Sequence, residues 1–368
     1  MDRKEFIKST ALSVGTLSLV SLSASCENET EKEPPKKISK VVSPIPLPAK
    51  VAEIFASKHH RLHHALWHGL RDYWYNTTKV SETAKNEIEN LNWHPPRPSA
   101  KWHYDKGEPV GWTQITTNGS GEDFLFMHRE MIRDFDEAMK KESAPPIEGW
   151  KLIPEPGLSE KFVVPPTWEL PKKYKWLERR FAAIKTDEFY WSRMRWWDRQ
   201  FHDHSYLRTL TLGQLGSVLE TSVHNDMHMR WCSQPFDPQS GKPLLMERDA
   251  SDISDKWDNV KYDFLGETYS SQVNPIFWRI HKWVDSIIDE WFEAHNSLSQ
   301  DRIKTKEING VTWFEVGDWV DIDDPWSYPT EGKHDLETMK KVNMILFPPK
   351  GENFIEEEGR GEKPMTWF

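Results

Sequence analysis

Cysteine is nearly absent. The 368 residues hold two, Cys26 and Cys232, too few for a disulfide framework or a four-cysteine zinc site. Any metal would therefore sit on histidine, of which there are 15. An excess of basic charge is also lacking: 48 Lys and Arg stand against 58 Asp and Glu, a formal net charge of -10. That balance repels a phosphate backbone and sets nucleic acid aside as a partner. The apolar stretch near the N-terminus, about 7–22, is interrupted by Ser, Thr and Gly and falls short of the roughly 20 strongly apolar residues of a membrane span. Hydrophobic residues make up only 37% of the chain and mean hydropathy is -0.74, yet 20 residues are Trp. Burial must then rely on a few large aromatic side chains in a globular protein. The length suits one large enzyme-sized domain or two ordinary ones.

The first 25 residues read as an export signal: a charged start, the apolar stretch, then the small residues Ser23, Ala24 and Ser25. Leu22-Ser23-Ala24-Ser25-Cys26 resembles a loose bacterial lipobox, which would make Cys26 a lipid anchor on a membrane surface. Arg3-Lys4-x-Phe6-Ile7-Lys8 also looks like a twin-arginine signal with one Arg replaced by Lys. Residues 26–50 are charged and Pro-rich with little to bury, a tether. The expectation is an exported protein of the periplasm or cell envelope, held by its lipid.

Residues 51–300 form the expected main domain. Val51 to Asn76 is free of Pro and sets His60, His64 and His68 at i, i+4, i+8, on one face of a helix. Residues 92–122, rich in Pro, Gly and Trp, read as a long irregular loop. A helical stripe follows in Phe124, Met127/His128, Met131/Ile132, Phe135 and Met139, so His128 faces the core. Beyond a second Pro-rich connection (144–172), an aromatic segment reads as helical, and so does the stretch carrying His224 and His228. Ile280/His281, Val284, Ile287/Ile288 and Trp291 give another core-facing stripe. In 301–368, Asn309-Gly310 between β-prone arms signals a hairpin; this C-terminal extension is a candidate lid. The fold class is mainly α, with long Pro/Trp-rich loops.

His224 and His228 stand one helical turn apart, where both can point at one metal ion. A zinc protease would carry Glu directly after the first His as general base, and Asn225 occupies that place. His281, His128 and the 60/64/68 set add imidazoles on three further helices. Bundles build dinuclear sites from four helices projecting ligands inward. An imidazole-only set suits copper, whereas di-iron bundles need several carboxylates.

Glu220-Thr-Ser-Val-His224-Asn225-x-x-His228 resembles the second copper motif of tyrosinases and catechol oxidases. Asn274-Pro275-Ile276-Phe277-Trp278-x-x-His281-x-x-x-Asp285 is similar to that family's D-P-x-F-x-x-H-H-x-x-x-D helix, with Ile280 replacing the first of the paired histidines. Phe124-Leu125-x-x-His128-Arg129 looks like the first-copper motif F-L-P-W-H-R, in a phrasing close to the bacterial branch that includes the pyoverdine-maturing tyrosinase. The three motifs stand in the family's order between about 124 and 292. Two departures stand out. The family's histidine nine residues before the place of His128 is Gly119 here, with His103 the candidate replacement, and the usual Gly-Gly after the second motif gives way to Arg230-Trp231-Cys232. For the earliest ligand Trp67-His68-Gly69 fits best, with His64 the alternative.

The resemblance implies a tyrosinase-like four-helix bundle holding two copper ions, with O2 as co-substrate. His68, His103 and His128 would hold one copper; His224, His228 and His281 the other. Glu220 and Asn225 would position a water that takes the phenol proton. A phenol of pKa about 10 is mostly protonated at neutral pH, so its binding as phenolate calls for a base. The implied activity is ortho-hydroxylation of phenols and oxidation of o-diphenols to o-quinones, on a small phenol or a tyrosyl peptide. Two rivals stand beside it: an oxidase of diphenols or o-aminophenols alone, and a non-catalytic oxygen- or copper-binding protein. A copper-delivery partner is left unidentified.

Overall fold

The computed structural model describes residues 46–348 apart from 75–79, 106–107, 158–161, 298–302 and 327–334. The export signal, Cys26, most of the tether and His334 lie outside the described residues. The fold is mainly helical, with two two-stranded hairpins among the described residues. No described helix is long and apolar enough to cross a membrane.

Helix α1 (Ala49–Ala56) and helix α2 (Lys58–Trp74) replace the single helix expected from 51 to 76, because Ser57 takes an extended conformation (φ -61°, ψ 144°) between them. Helix α3 (Glu82–Asn90) is capped by the Ser81 hydroxyl. Strands β1 (Ala100–Asp105) and β2 (Glu108–Gln114) then pair antiparallel, with Ala100 opposite Gln114 and a register shift after His103. The stretch expected as an irregular loop is thus a hairpin in its middle, where β-prone residues overrule their Pro-rich flanks.

Helix α4 (Ser120–Lys141) has Glu122 and Asp123 in its first turn and Lys140 and Lys141 in its last, matching the helix dipole. Helices α5 (Lys175–Ile184) and α6 (187–201) share the aromatic segment, split by the Thr186 cap. Helix α7 (212–231) starts at a Thr211/Gln214 capping box and contains a π turn at Glu220–His224. Asn274 caps helix α8 (Pro275–Asn296), with Pro275 in the first turn. Strands β3 (Thr305–Ile308) and β4 (Val311–Phe314) form the expected hairpin, with positive φ at Asn309 (51°) and Gly310 (74°). Helix α9 (Leu336–Leu346) ends the described chain.

Trp67, Trp93, Trp231, Trp278, Trp283, Trp291 and Trp313 are fully buried. Several are satisfied at the indole N–H: Trp278 donates to Gln272 O and Trp291 to Leu210 O, at 3.0 and 2.9 Å. Phe135 stacks on Trp278 with ring centres 3.8 Å apart, joining α4 to α8. Val311, Trp313, Phe314, Val320, Met339 and Val342 from the C-terminal part enter the same core. Residues 319–326 cross the start of α4 as a strap. The Glu122 carboxylate accepts the backbone N–H groups of Asp321 and Ile322 at 2.8 and 3.1 Å, and Asp123 accepts that of Trp326 at 2.6 Å. Helices α4 and α7 meet backbone to backbone. A Cβ on Gly216 would lie 2.1 Å from the Gly121 carbonyl oxygen, and one on Gly121 would lie 2.0 Å from that of Gly213.

Gly216→Ala therefore forces the two helices apart and should lower stability by about 1–3 kcal/mol. Urea unfolding would measure it; an unchanged midpoint would mean that the contact is not tight.

Candidate metal centre

Four helices turn histidines toward one point: α2 gives His64 and His68, α4 gives His128, α7 gives His224 and His228, and α8 gives His281. All six are buried, His68 at 7% exposure and the others at 2% or less. Their rings interlock. His128 stacks on His281 with ring centres 4.5 Å apart and 10° between planes. His64 and His68 lie 4.7 Å apart, as do His224 and His228. Two sets could each bring their ligand atoms within 4.8 Å of one another: His64, His68 and His128; and His128, His224 and His281. Among the described residues no carboxylate or thiol belongs to either set.

The outward nitrogens explain how the rings are aimed. Nδ1 of His64 donates to Thr268 O at 2.5 Å, that of His128 to Phe124 O at 2.7 Å, that of His228 to Leu265 O at 2.9 Å and that of His281 to Phe277 O at 2.7 Å. His224 Nδ1 donates to the side-chain oxygen of Asn225 at 3.1 Å. A carbonyl only accepts, so each of these rings carries its proton on Nδ1 and keeps a lone pair on Nε2. Nε2 of His128 is buried with no hydrogen-bond partner. Nε2 of His224 faces Nε2 of His281 at 3.0 Å. Two lone pairs at that distance repel, and a cation between them would remove the repulsion.

Burial, the largest cause, and neighbouring imidazoles hold His68, His128, His224, His228 and His281 well below the ordinary histidine pKa. The rings are neutral at neutral pH, the form that binds metals.

Glu220 opens the π turn of α7, a kind of irregularity frequent at functional sites. Its Oε2 accepts from Arg71 Nη2 at 2.5 Å, and the guanidinium of Arg71 lies over the Trp67 ring at 4.7 Å. The two residues expected to hold a water thus have protein partners, Glu220 on Arg71 and Asn225 on His224.

His103 needs correction as a ligand. Strand β1 carries it out to solvent, where its Nε2 lies 2.7 Å from Thr113 Oγ1. His64 stands with His68 instead, so the two α2 histidines expected as alternatives fall in one set. Gly119, where the resemblance puts a histidine, has φ 79°, and a Cβ there would lie 2.5 Å from Ile322 Cγ2 in the strap. No side chain fits there while the strap is in place.

Sequence reasoning missed Arg71, although it follows His68 by three residues on the same helix face. It also missed that His63 is buried, stacked on Trp326 at 5.7 Å. The carbonyls of Leu265 and Thr268 left no sequence signal, since any residue offers one. Comparison with known proteins gives no matching family model and no matching curated protein.

Unfolding frees the five depressed imidazoles to titrate near pH 6.5. Below that pH the unfolded chain binds more protons than the folded one, so the metal-free protein should lose stability as pH falls and gain no slope from them above it. Urea midpoints across pH 5–8 would measure this, and His228→Gln should make the acid decline shallower; an equal slope in the variant would remove His228 from the cause. Gly119→His should lower the unfolding midpoint and leave metal stoichiometry unchanged; an added bound ion would contradict the crowding argument.

Proposed function

We propose that the four histidine-bearing helices form a dicopper bundle and that the protein is an oxidase of phenolic substrates. One observation carries the reading: six buried imidazoles from four helices converge, with Nε2 lone pairs left by the Nδ1 donations of His64, His128, His224, His228 and His281. No carboxylate or thiol joins the two sets that could hold an ion. An all-imidazole donor set fits copper. His64, His68 and His128 would hold one ion, and His224, His228 and His281 the other.

Copper bound there would supply reversible one-electron steps, enough to pass electrons from a diphenol to O2. In balance, two o-diphenols give two o-quinones while one O2 becomes two waters. The chain's own part is orientation and proton handling. The carbonyls of Thr268, Phe124, Leu265 and Phe277 keep each ring turned and neutral. Aromatic neighbours such as Phe124 and Phe277 border the rings and exclude water. Glu220 would be the acid–base group that takes the proton a phenol must lose, its carboxylate paired with the Arg71 guanidinium. Export and lipid anchoring through Cys26 belong to the same reading on sequence grounds.

The depth of burial favours a second reading. Ligands at 7% exposure or less admit O2 more readily than a phenol, which suits a protein that binds oxygen or copper without turnover.

Copper-loaded protein should hold two ions per chain and consume O2 with an o-diphenol. His224→Ala should abolish that activity and halve the copper. Activity retained in copper-free protein, or no copper taken up, would overturn the proposal; two coppers without turnover of any phenol would establish the second reading.

A further inference from the structure

His128 belongs to both sets whose ligand atoms come within 4.8 Å of one another. It has one nitrogen to offer, because Nδ1 is held by Phe124 O at 2.7 Å. One lone pair serves one ion, so in this arrangement the two sets cannot both be filled. The sets also differ in what an ion would relieve. His224 and His281 oppose their Nε2 atoms at 3.0 Å, a repulsion that a cation would turn into attraction. His64 and His68 sit on one helix with ring centres 4.7 Å apart and nearly perpendicular planes, 86°.

His228 stands outside the His128/His224/His281 set, although its ring lies 4.7 Å from that of His224 and 5.2 Å from that of His281. Its Nδ1 is tied to Leu265 O, so it is oriented as a ligand without belonging to either set whose ligand atoms lie within 4.8 Å of one another. The first ion would then find on His128, His224 and His281, carried by α4, α7 and α8, the set in which it relieves two opposed Nε2 atoms.

We propose that the centre fills in a fixed order through a one-ion state of its own. The first cation lodges across the two halves on His128, His224 and His281. The second binds His64 and His68 and takes His128 from the first, and His228 closes the ligand set that His128 has left. The one-ion site suits any cation that favours imidazole, including zinc, cobalt and copper. This inference rests on the reading of the histidines as a two-metal centre.

The test is a titration of the metal-free full chain with Co2+ under anaerobic conditions, followed by calorimetry and by the visible ligand-field bands. Two steps are expected, the first tighter by about tenfold or more, a gap of about 1.4 kcal/mol. His64→Ala should remove the second step and leave the first with its spectrum; His281→Ala should remove the first. Two ions entering the parent protein in one step, or a first step lost in His64→Ala, would overturn the order while leaving the two-metal reading intact. A parent protein that binds no Co2+, Zn2+ or Cu+ would overturn both. The parent isotherm decides the matter even where a variant fails to fold.

Discussion

The six imidazoles meet in a buried place, and among the described residues no carboxylate or thiol joins the two sets they form, so every ring has to be neutral and each outward nitrogen needs an acceptor. A single protonated ring would place an uncompensated charge among five others in a low-dielectric interior. The four donations from Nδ1 to backbone carbonyls answer this constraint. They place the proton on the outward nitrogen and keep a lone pair on Nε2. For His128 and His281 the acceptor is the carbonyl one turn earlier in the same helix, which comes with helix geometry. His64 and His228 depend on carbonyls from a distant loop.

That loop explains two buried arginines remote from any chemistry. Arg61 donates to the carbonyls of Asn259 and Tyr262, both at 2.9 Å. Arg248 pairs with Glu267 at 3.3 Å, lies over the Tyr269 ring at 3.6 Å and donates to Asp249 O and Asp252 O. Together they shape the stretch that presents Leu265 O to His228 and Thr268 O to His64. Glycines at 121 and 216 let α4 and α7 touch along their backbones. A wider separation would carry His128 away from His224. Rigid loop and close helix pair are thus two supports for one set of distances.

The core-facing helices were legible because apolar residues at helical spacing flank the histidines: His128 in α4 and His281 in α8 lie on stripes that the structure buries. His224 and His228 were legible from spacing alone, although the π turn beginning at Glu220 was not, since it leaves no mark on apolar periodicity. Reading failed where a position depends on tertiary partners. His103 lies in a stretch dense in Pro and Gly whose alternation was overlooked, and a strand sends alternate side chains to opposite faces. His64 and His68 were set against each other as alternatives, but one helical turn brings both to the same place. Glu220 was legible as a carboxylate near the site, yet its partner is Arg71, 149 residues earlier. The copper assignment itself rests on donor chemistry, which residue types disclose and spacing only narrows.

The strap of residues 319–326 has a consequence for biogenesis. Glu122 and Asp123 emerge from the ribosome about two hundred residues before the backbone groups they will hold. Throughout that interval the beginning of α4 lacks its cover, and Gly119 lacks the neighbour that crowds it. The four histidine helices are all synthesised by Asn296, whereas Trp326, stacked on His63, arrives only afterwards. Translation therefore builds the cup before its cover, and the nascent chain is more open to small solutes on this side than the finished protein.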